Sequence, residues 1–131
     1  MNTRNTFLRY ALLADAIASG TTGLLMIAGA DLLTGLLGLP AALMREAGLL
    51  LVPYVAFVAY VGTREAISRP AVQGVIALNV LWVAASIGLL MSGWVAPTTL
   101  GYAFVIAQAI VVGVFAELQI IGLRRAATAV A

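Results

Sequence analysis

Apolar residues follow one another along this chain in four long runs, and polar residues are concentrated in the short segments between them. A helix needs about 20 mostly apolar residues to cross the hydrocarbon core of a membrane. Four runs of about that length are present, at residues 7–30, 43–61, 71–91 and 100–123. Lipid offers no partner to backbone polar groups, and the alternating pattern of a barrel strand is missing. The pattern therefore predicts an all-α, membrane-embedded chain with four spans.

The segments between the spans are short. Residues 31–42 are apolar but contain two glycines and a proline, which predicts a turn or a half-helix at the membrane surface. Residues 63–70 are strongly polar, and residues 92–99 carry no charge. Short connections place consecutive helices side by side and antiparallel. We therefore expect an up-down four-helix bundle that forms a single domain over residues 1–131.

The arginines are distributed unevenly between the two ends of the predicted bundle. Arg45 alone lies at one end. The other six lie at the end that holds both termini: Arg4, Arg9, Arg64, Arg69, Arg124 and Arg125. Positive residues stay on the cytoplasmic side of membranes. We therefore expect both termini in the cytoplasm, with the six arginines as positive anchors, in a multi-pass protein of the bacterial cytoplasmic (inner) membrane.

The first span also has features of a secretory signal, because Arg4 and Arg9 precede it and Ala28-Gly29-Ala30 ends it. Asp15 interrupts the apolar region, which is unusual for such a signal. We therefore expect a helix that is retained.

The composition supports a lipid-exposed surface and excludes many kinds of active site. Hydrophobic residues make up 63% of the 131 residues and charged residues 9%, whereas soluble domains are about 45–50% apolar and about 25% charged. The sequence has no cysteine and no histidine, which excludes thiolate nucleophiles, histidine metal ligands and histidine proton shuttles. We predict no enzymatic activity, no cofactor and no metal. The net charge of +2 is explained by arginines that meet membrane lipids, so we expect no nucleic-acid partner.

Polar residues inside the spans carry the candidate chemistry, since an ionisable side chain at membrane depth costs about 2.5–3.5 kcal/mol and needs a partner. Asp15, Asn79 and Glu117 lie at similar depths on different spans. Ser19 and Ser86 continue the faces of Asp15 and Asn79 by helical spacing. These five residues predict an intramembrane polar cluster. The cluster either binds a proton, a cation or a head group, or it is structural, with Asp15 hydrogen-bonded to Asn79 and Glu117 paired with an arginine.

Gln108 and Gln119 share one face of the fourth span, and Glu117 lies on the opposite face. A single neighbour cannot bury both faces. The face with the two glutamines is therefore a possible association surface for a second copy or for a partner membrane protein. Alternatively, Gln108 bonds within the bundle and Gln119 reaches the cytoplasmic interface.

Pro53 predicts a kink in the second span, because proline removes one helix hydrogen bond and frees the carbonyl of Leu49. Leu50, Tyr54 and Phe57 recur at helical spacing around it. We interpret them as a packing surface.

The second half of the chain contains five segments that suggest a group of known proteins. They are Asn79-Val80-Leu81-Trp82, Ser86, residues 93–98, residues 115–119 and residues 122–125. These segments resemble small four-span integral membrane proteins of bacteria, and the resemblance covers nearly the whole chain. It implies a bacterial cytoplasmic membrane and no assigned activity. Asp15 is superficially similar to the acidic residue of the small multidrug resistance transporters, but their glutamate and the lysine after it have no counterpart here.

Three functions are compatible with the sequence. The first is a non-enzymatic protein that acts through helix packing, as an accessory subunit of a larger membrane complex or as a homo-oligomer. The second is a small proton- or cation-coupled transporter or channel with Asp15 as its ionisable site. The third is a lipid-binding protein with a groove between the second and fourth spans. Asp15 at a water-reachable cavity would favour transport, and Asp15 enclosed by Asn79 would favour a structural role.

Overall fold

The computed structural model describes residues 3–130, with the side chains of residues 6–126. The described chain forms five helices: α1 (Thr3–Ala28), α2 (Ala30–Leu37), α3 (Ala41–Thr63), α4 (Arg69–Met91) and α5 (Thr99–Val130). Residues 3–130 contain no strand. Four of these helices, α1, α3, α4 and α5, are long and apolar enough to cross a membrane. They coincide with the four predicted spans, so the all-α prediction is confirmed.

The long helices are packed in the order α3, α1, α5, α4. Arg9 near the start of α1 donates to the carbonyl of Gly62 near the end of α3, at 2.6 Å. Arg69 at the start of α4 donates to the carbonyl of Leu123 near the end of α5, at 3.3 Å. Each of these two helix pairs is therefore antiparallel.

One consecutive pair of helices departs from the expected arrangement. α3 and α4 scarcely touch, although only residues 64–68 separate them. The expectation that a short connection brings its two helices into contact is wrong here. Five extended residues reach about 17 Å, whereas packed helices lie about 8–10 Å apart. The connection is long enough to let the helices diverge.

Glycines bring α1 and α3 into close contact. A Cβ atom placed on Gly48 would lie 2.8 Å from Cγ1 of Ile27 and 2.9 Å from the carbonyl oxygen of Gly23. A Cβ atom on Gly62 would lie 3.0 Å from Cδ2 of Leu13. Small residues allow membrane helices to approach in this way. The α1–α3 side of the bundle is therefore closed.

Two apolar clusters fill the two ends of the bundle. The cluster at the arginine-rich end includes Leu8, Leu12, Val58, Val72 and Leu123. The cluster at the opposite end includes Met26, Leu37, Met44 and Val105. The buried polar side chains lie between these clusters.

The segment expected to form a turn or half-helix contains α2. Gly35 lies inside this helix without ending it, and Gly38 ends it in the left-handed conformation, with φ of 71°. The backbone N–H of Thr98 donates to the carbonyl of Leu37 at 2.9 Å, and its hydroxyl donates to the carbonyl of Leu36 at 2.8 Å. The loop before α5 thus satisfies carbonyls that the end of α2 leaves without helix partners.

The arginines are separated as the sequence predicts wherever their side chains are described. Arg9 and Arg69 bind carbonyls at one end of the bundle. At that same end, Arg125 stacks over the ring of Phe7, 4.5 Å from its centroid. Arg45 forms an ion pair with Asp31 at the opposite end. The side chain of Arg4 lies outside the described residues.

Candidate functional site

Four side chains, one from each long helix, form a polar network inside the bundle: Asp15 of α1, Tyr54 of α3, Asn79 of α4 and Gln119 of α5. Asp15, Asn79 and Gln119 are 1%, 3% and 0% exposed. Oδ2 of Asp15 accepts from Gln119 Nε2 at 2.8 Å and from Asn79 Nδ2 at 3.1 Å. The Tyr54 hydroxyl lies 2.6 Å from the same oxygen. Oδ1 of Asp15 accepts from the Ser19 hydroxyl at 2.9 Å.

The two amides of the polar network hold each other in one orientation. Asn79 Nδ2 also donates to Gln119 Oε1, at 2.9 Å. Reversing either amide would place an oxygen against an oxygen of Asp15 or of the other amide, with no hydrogen between them. The oxygen Oδ1 of Asn79 therefore faces the Tyr54 hydroxyl, 2.7 Å away.

A second set of hydrogen bonds joins α4 to α5 further along the bundle. The indole N–H of Trp82 donates to Gln108 Oε1 at 2.7 Å. Gln108 Nε2 donates to the Ser86 hydroxyl at 2.9 Å and to the carbonyl of Val105 at 2.8 Å. The Ser86 hydroxyl donates to the carbonyl of Trp82 at 2.8 Å. We refer to Trp82, Ser86 and Gln108 as the tryptophan cluster.

A crevice of about 720 Å³ occupies the space where α3 and α4 diverge, with α1 and α5 behind it. Its walls are mostly apolar and include Leu50 and Phe57 of α3 and Leu81 of α4. The polar residues that line it are Ser19, Thr22, Tyr54, Asn79, Trp82 and Gln108. No charged side chain is among the lining residues of the described chain. The lining positions on α3 and α4 fall near the middle of each helix.

The structure separates the five residues of the predicted polar cluster. Asp15, Ser19 and Asn79 are in contact, and Asn79 bonds to Asp15 as the structural interpretation expected. Ser86 belongs to the tryptophan cluster instead. The placement of Glu117 in the predicted cluster is wrong, because this side chain is exposed and takes no part in the polar network.

The sequence also predicts that Glu117 pairs with an arginine, but Arg9, at the same end of the bundle, has other partners. It donates to the carbonyl of Gly62 in the last turn of α3 and to the carbonyls of Arg64 and Glu65 just after the helix. Carbonyls at the end of a helix lack helix donors, and a guanidinium is well suited to satisfy several of them.

The interpretation of Gln108 and Gln119 as an association surface is also wrong. Gln119 is fully buried in the polar network, and Gln108 bonds to Trp82 and Ser86 of its own chain. Helical spacing predicts that the two glutamines lie on the face of α5 opposite Glu117, and they do so in the structure. The face with the glutamines, however, points into the bundle. The two amides are satisfied by neighbouring side chains, whereas the Glu117 carboxyl group lies exposed on the other face.

The sequence interpretation overlooked Tyr54, Gln119 and Trp82 as members of polar clusters. Tyrosine and tryptophan usually lie at the membrane interfaces, so Tyr54 and Trp82 in the middle of their spans were an available signal. Gln119 could have been found by depth: it lies seven residues before the end of its span at Ala126, and Asp15 lies nine residues after Thr6 at the same end.

The arrangement offers hydrogen-bonding groups beside an apolar crevice. Asp15 is the one acidic residue of the polar network, and Tyr54 and Asn79 lie between it and the crevice. A comparison of the chain with protein-family models, curated proteins and solved structures finds no match. The function is therefore inferred from the geometry of the site.

Proposed function

We propose that this chain is a multi-pass protein of the bacterial cytoplasmic membrane that binds a largely apolar molecule with a small, uncharged polar head in the crevice between α3 and α4. Membrane placement is supported by the four long apolar helices and by large hydrophobic side chains exposed around the bundle, among them Leu24, Leu49 and Ile110. The arginine-rich end that holds both termini then faces the cytoplasm.

The crevice is the observation that carries this proposal. Its volume of about 720 Å³ lies within the range of small-molecule sites, about 300–1,000 Å³. Such sites combine apolar walls with a few polar groups that orient the ligand. Here the apolar walls belong to α3, α4 and α5, and the polar groups come from the polar network and the tryptophan cluster. A molecule dissolved in the bilayer can enter where α3 and α4 diverge.

The position of the crevice limits the head group of the ligand. The lining residues fall near the middle of the spans, about 15 Å from either surface of a 30 Å hydrocarbon core. A charged head group at that depth would cost several kcal/mol, and no charged side chain lines the crevice to offset that cost. The ligand is therefore a neutral lipid-like molecule rather than a phospholipid.

The other two functions are less well supported. Transport through Asp15 requires an accessible carboxyl group, but Ser19, Tyr54, Asn79 and Gln119 surround it. Association through the glutamine face of α5 is not supported, because the side chains of that face bond inside the chain. A structural role for Asp15 is favoured by its enclosure.

Fluorescence of Trp82 provides a direct test, because this side chain lines the crevice. The second tryptophan, Trp94, is exposed and is replaced in a Trp94→Phe background. The protein is placed in phosphatidylcholine nanodiscs and titrated with neutral long-chain probes that carry bromine on the chain and a hydroxyl, methyl ether or methyl ketone head. We expect saturable quenching by at least one probe. Quenching that only rises linearly with every probe would contradict the proposal, because that is the behaviour of partitioning into lipid.

Two neighbouring alanines of α4 provide matched variants. Ala85 lines the crevice, whereas Ala84 is exposed outside it. Ala85→Phe fills part of the crevice, and a steric cost of about 1–3 kcal/mol weakens binding by about fivefold or more. Ala84→Phe leaves the affinity unchanged. Equal effects of the two variants would place the probe elsewhere on the protein.

A further inference from the structure

The hydroxyl groups that line the crevice already donate their hydrogens within the protein. Ser19 donates to Oδ1 of Asp15 at 2.9 Å, and Thr22 donates to the carbonyl of Ala18 at 2.9 Å. Each hydroxyl has one hydrogen and two lone pairs. Ser19 and Thr22 can therefore accept a hydrogen bond from a ligand but have none left to donate.

The tryptophan cluster has no spare hydrogen either. An indole N–H can only donate, so Oε1 of Gln108 faces Trp82. Nε2 of Gln108 then faces the Ser86 hydroxyl and the carbonyl of Val105. Both hydrogens of that nitrogen are used, by the Ser86 hydroxyl and the carbonyl of Val105. The oxygen Oε1 of Gln108 retains a free lone pair.

The polar network holds one hydrogen too few for its contacts. Both amide hydrogens of Asn79 are used, by Asp15 and Gln119. The Tyr54 hydroxyl lies 2.6 Å from Oδ2 of Asp15 and 2.7 Å from Oδ1 of Asn79, and both of these oxygens are acceptors. One hydroxyl hydrogen cannot satisfy two acceptors with full hydrogen bonds. While Tyr54 donates to Asp15, Oδ1 of Asn79 receives no hydrogen from the protein; while Tyr54 donates to Asn79, it competes with a ligand for that oxygen.

The remaining residues that line the crevice are apolar and have no side-chain hydrogen to donate. The polar part of the crevice therefore offers lone pairs and no free hydrogens. A carbonyl or ether head would meet only other acceptors there.

We infer that the crevice selects an apolar alcohol, whose neutral hydroxyl donates to Oδ1 of Asn79, over ketones and ethers of the same size. This selectivity rests on the proposed function, because it requires that the crevice binds a ligand. An ammonium head would also donate, but its charge has no acidic partner among the residues that line the crevice, and charge at this depth is costly. A hydroxyl donates a hydrogen bond without carrying a charge.

The experiment compares three brominated probes of equal chain length by quenching of Trp82 in the Trp94→Phe protein: a primary alcohol, its methyl ether and a methyl ketone. We expect the alcohol to bind about fivefold to tenfold more tightly than the other two, the effect of one additional hydrogen bond. Saturable binding of all three probes with equal affinity, or tighter binding of the ketone, would overturn the selectivity and leave the proposed function intact. Failure of all three to saturate would overturn both.

A conservative variant tests where the hydroxyl binds. Tyr54→Phe removes the shared hydrogen, so that both Asp15 Oδ2 and Asn79 Oδ1 lack it, and the preference for the alcohol over the ether should increase severalfold. Tyr60→Phe is the matched control on α3, because Tyr60 lies near the arginine-rich end under Arg64. A preference that Tyr54→Phe leaves unchanged or decreases would contradict donation to Asn79.

Discussion

α3 meets its two neighbours in different ways. Against α1 it packs through Gly48 and Gly62, so closely that a Cβ atom on Gly48 would lie within 2.9 Å of the Gly23 carbonyl oxygen. Against α4 it scarcely packs at all, and a crevice of about 720 Å³ lies between the two helices. One helix therefore supports a closed contact and an open one.

The difference comes from the residues that each side presents. Glycine removes the side chain that would hold two backbones apart, and dispersion contacts then stabilise the contact. On the open side, Phe57, Leu81 and Trp82 are large, and they line a space instead of filling it. The closed side supplies stability, and the open side supplies a surface for a ligand.

The largest expected effect comes from forcing the closed side open. Gly48→Leu places a side chain where the Gly23 carbonyl and Ile27 already lie, and overpacking of this kind costs about 3 kcal/mol. Gly88→Leu on α4 is the control, because a Cβ atom at Gly88 meets nothing within 4 Å. Unfolding by SDS in mixed micelles measures both. Equal stability of the two variants would contradict the close α1–α3 contact.

A smaller effect is expected from the polar network, which ties α4 and α5 to the closed pair. Gln119→Leu leaves Asn79 and Asp15 each without one partner, and we expect a loss of about 2 kcal/mol. Glu117→Leu, two residues away on the exposed face, should change stability by less than about 0.5 kcal/mol. The same unfolding measurement distinguishes them. A larger loss of stability from Glu117→Leu than from Gln119→Leu would indicate that the glutamine face points outward.

The smallest effect is expected at the arginine-rich end of the closed side. Arg9→Gln removes most of the bonds to three carbonyls in the last turn of α3 and just after it, and we expect a loss of about 1 kcal/mol. Arg64→Gln removes an exposed side chain that stacks on Tyr60, and should cost less than about 0.5 kcal/mol. Hydrogen exchange at the last turn of α3 measures the local effect. Equal exchange in both variants would exclude Arg9 as a cap for this helix.

The helices could be predicted from the sequence because their length and apolar composition are local properties. The separation of the arginines followed from the same alternation of spans and loops. The divergence of α3 and α4 could not be predicted, because residues 64–68 are compatible with adjacent or separated helices. That choice depends on how α1 and α5 pack between them, which is a property of all four long helices.

The candidate site was predictable only in part. The contact between Asp15 and Asn79 was predictable, because both residues lie at similar distances from the same end of the bundle. Periodicity placed Gln119 opposite Glu117 but contains no information about which side is inside. The spacing assigns Tyr54 to a packing surface because its hydroxyl acquires a role only once Asp15 of α1 and Asn79 of α4 lie beside it.

The divergence of α3 and α4 has a consequence for how the protein is made. Helices leave the ribosome in the order of synthesis, so α1 and α3 can associate through their glycines before α4 and α5 emerge. The α4–α5 pair then packs against α1 through α5, and contacts with α3 contribute little to its placement. Asn79 of α4 and Gln119 of α5 bind Asp15 in that step. These hydrogen bonds fix the position of the α4–α5 pair along the axis of the bundle.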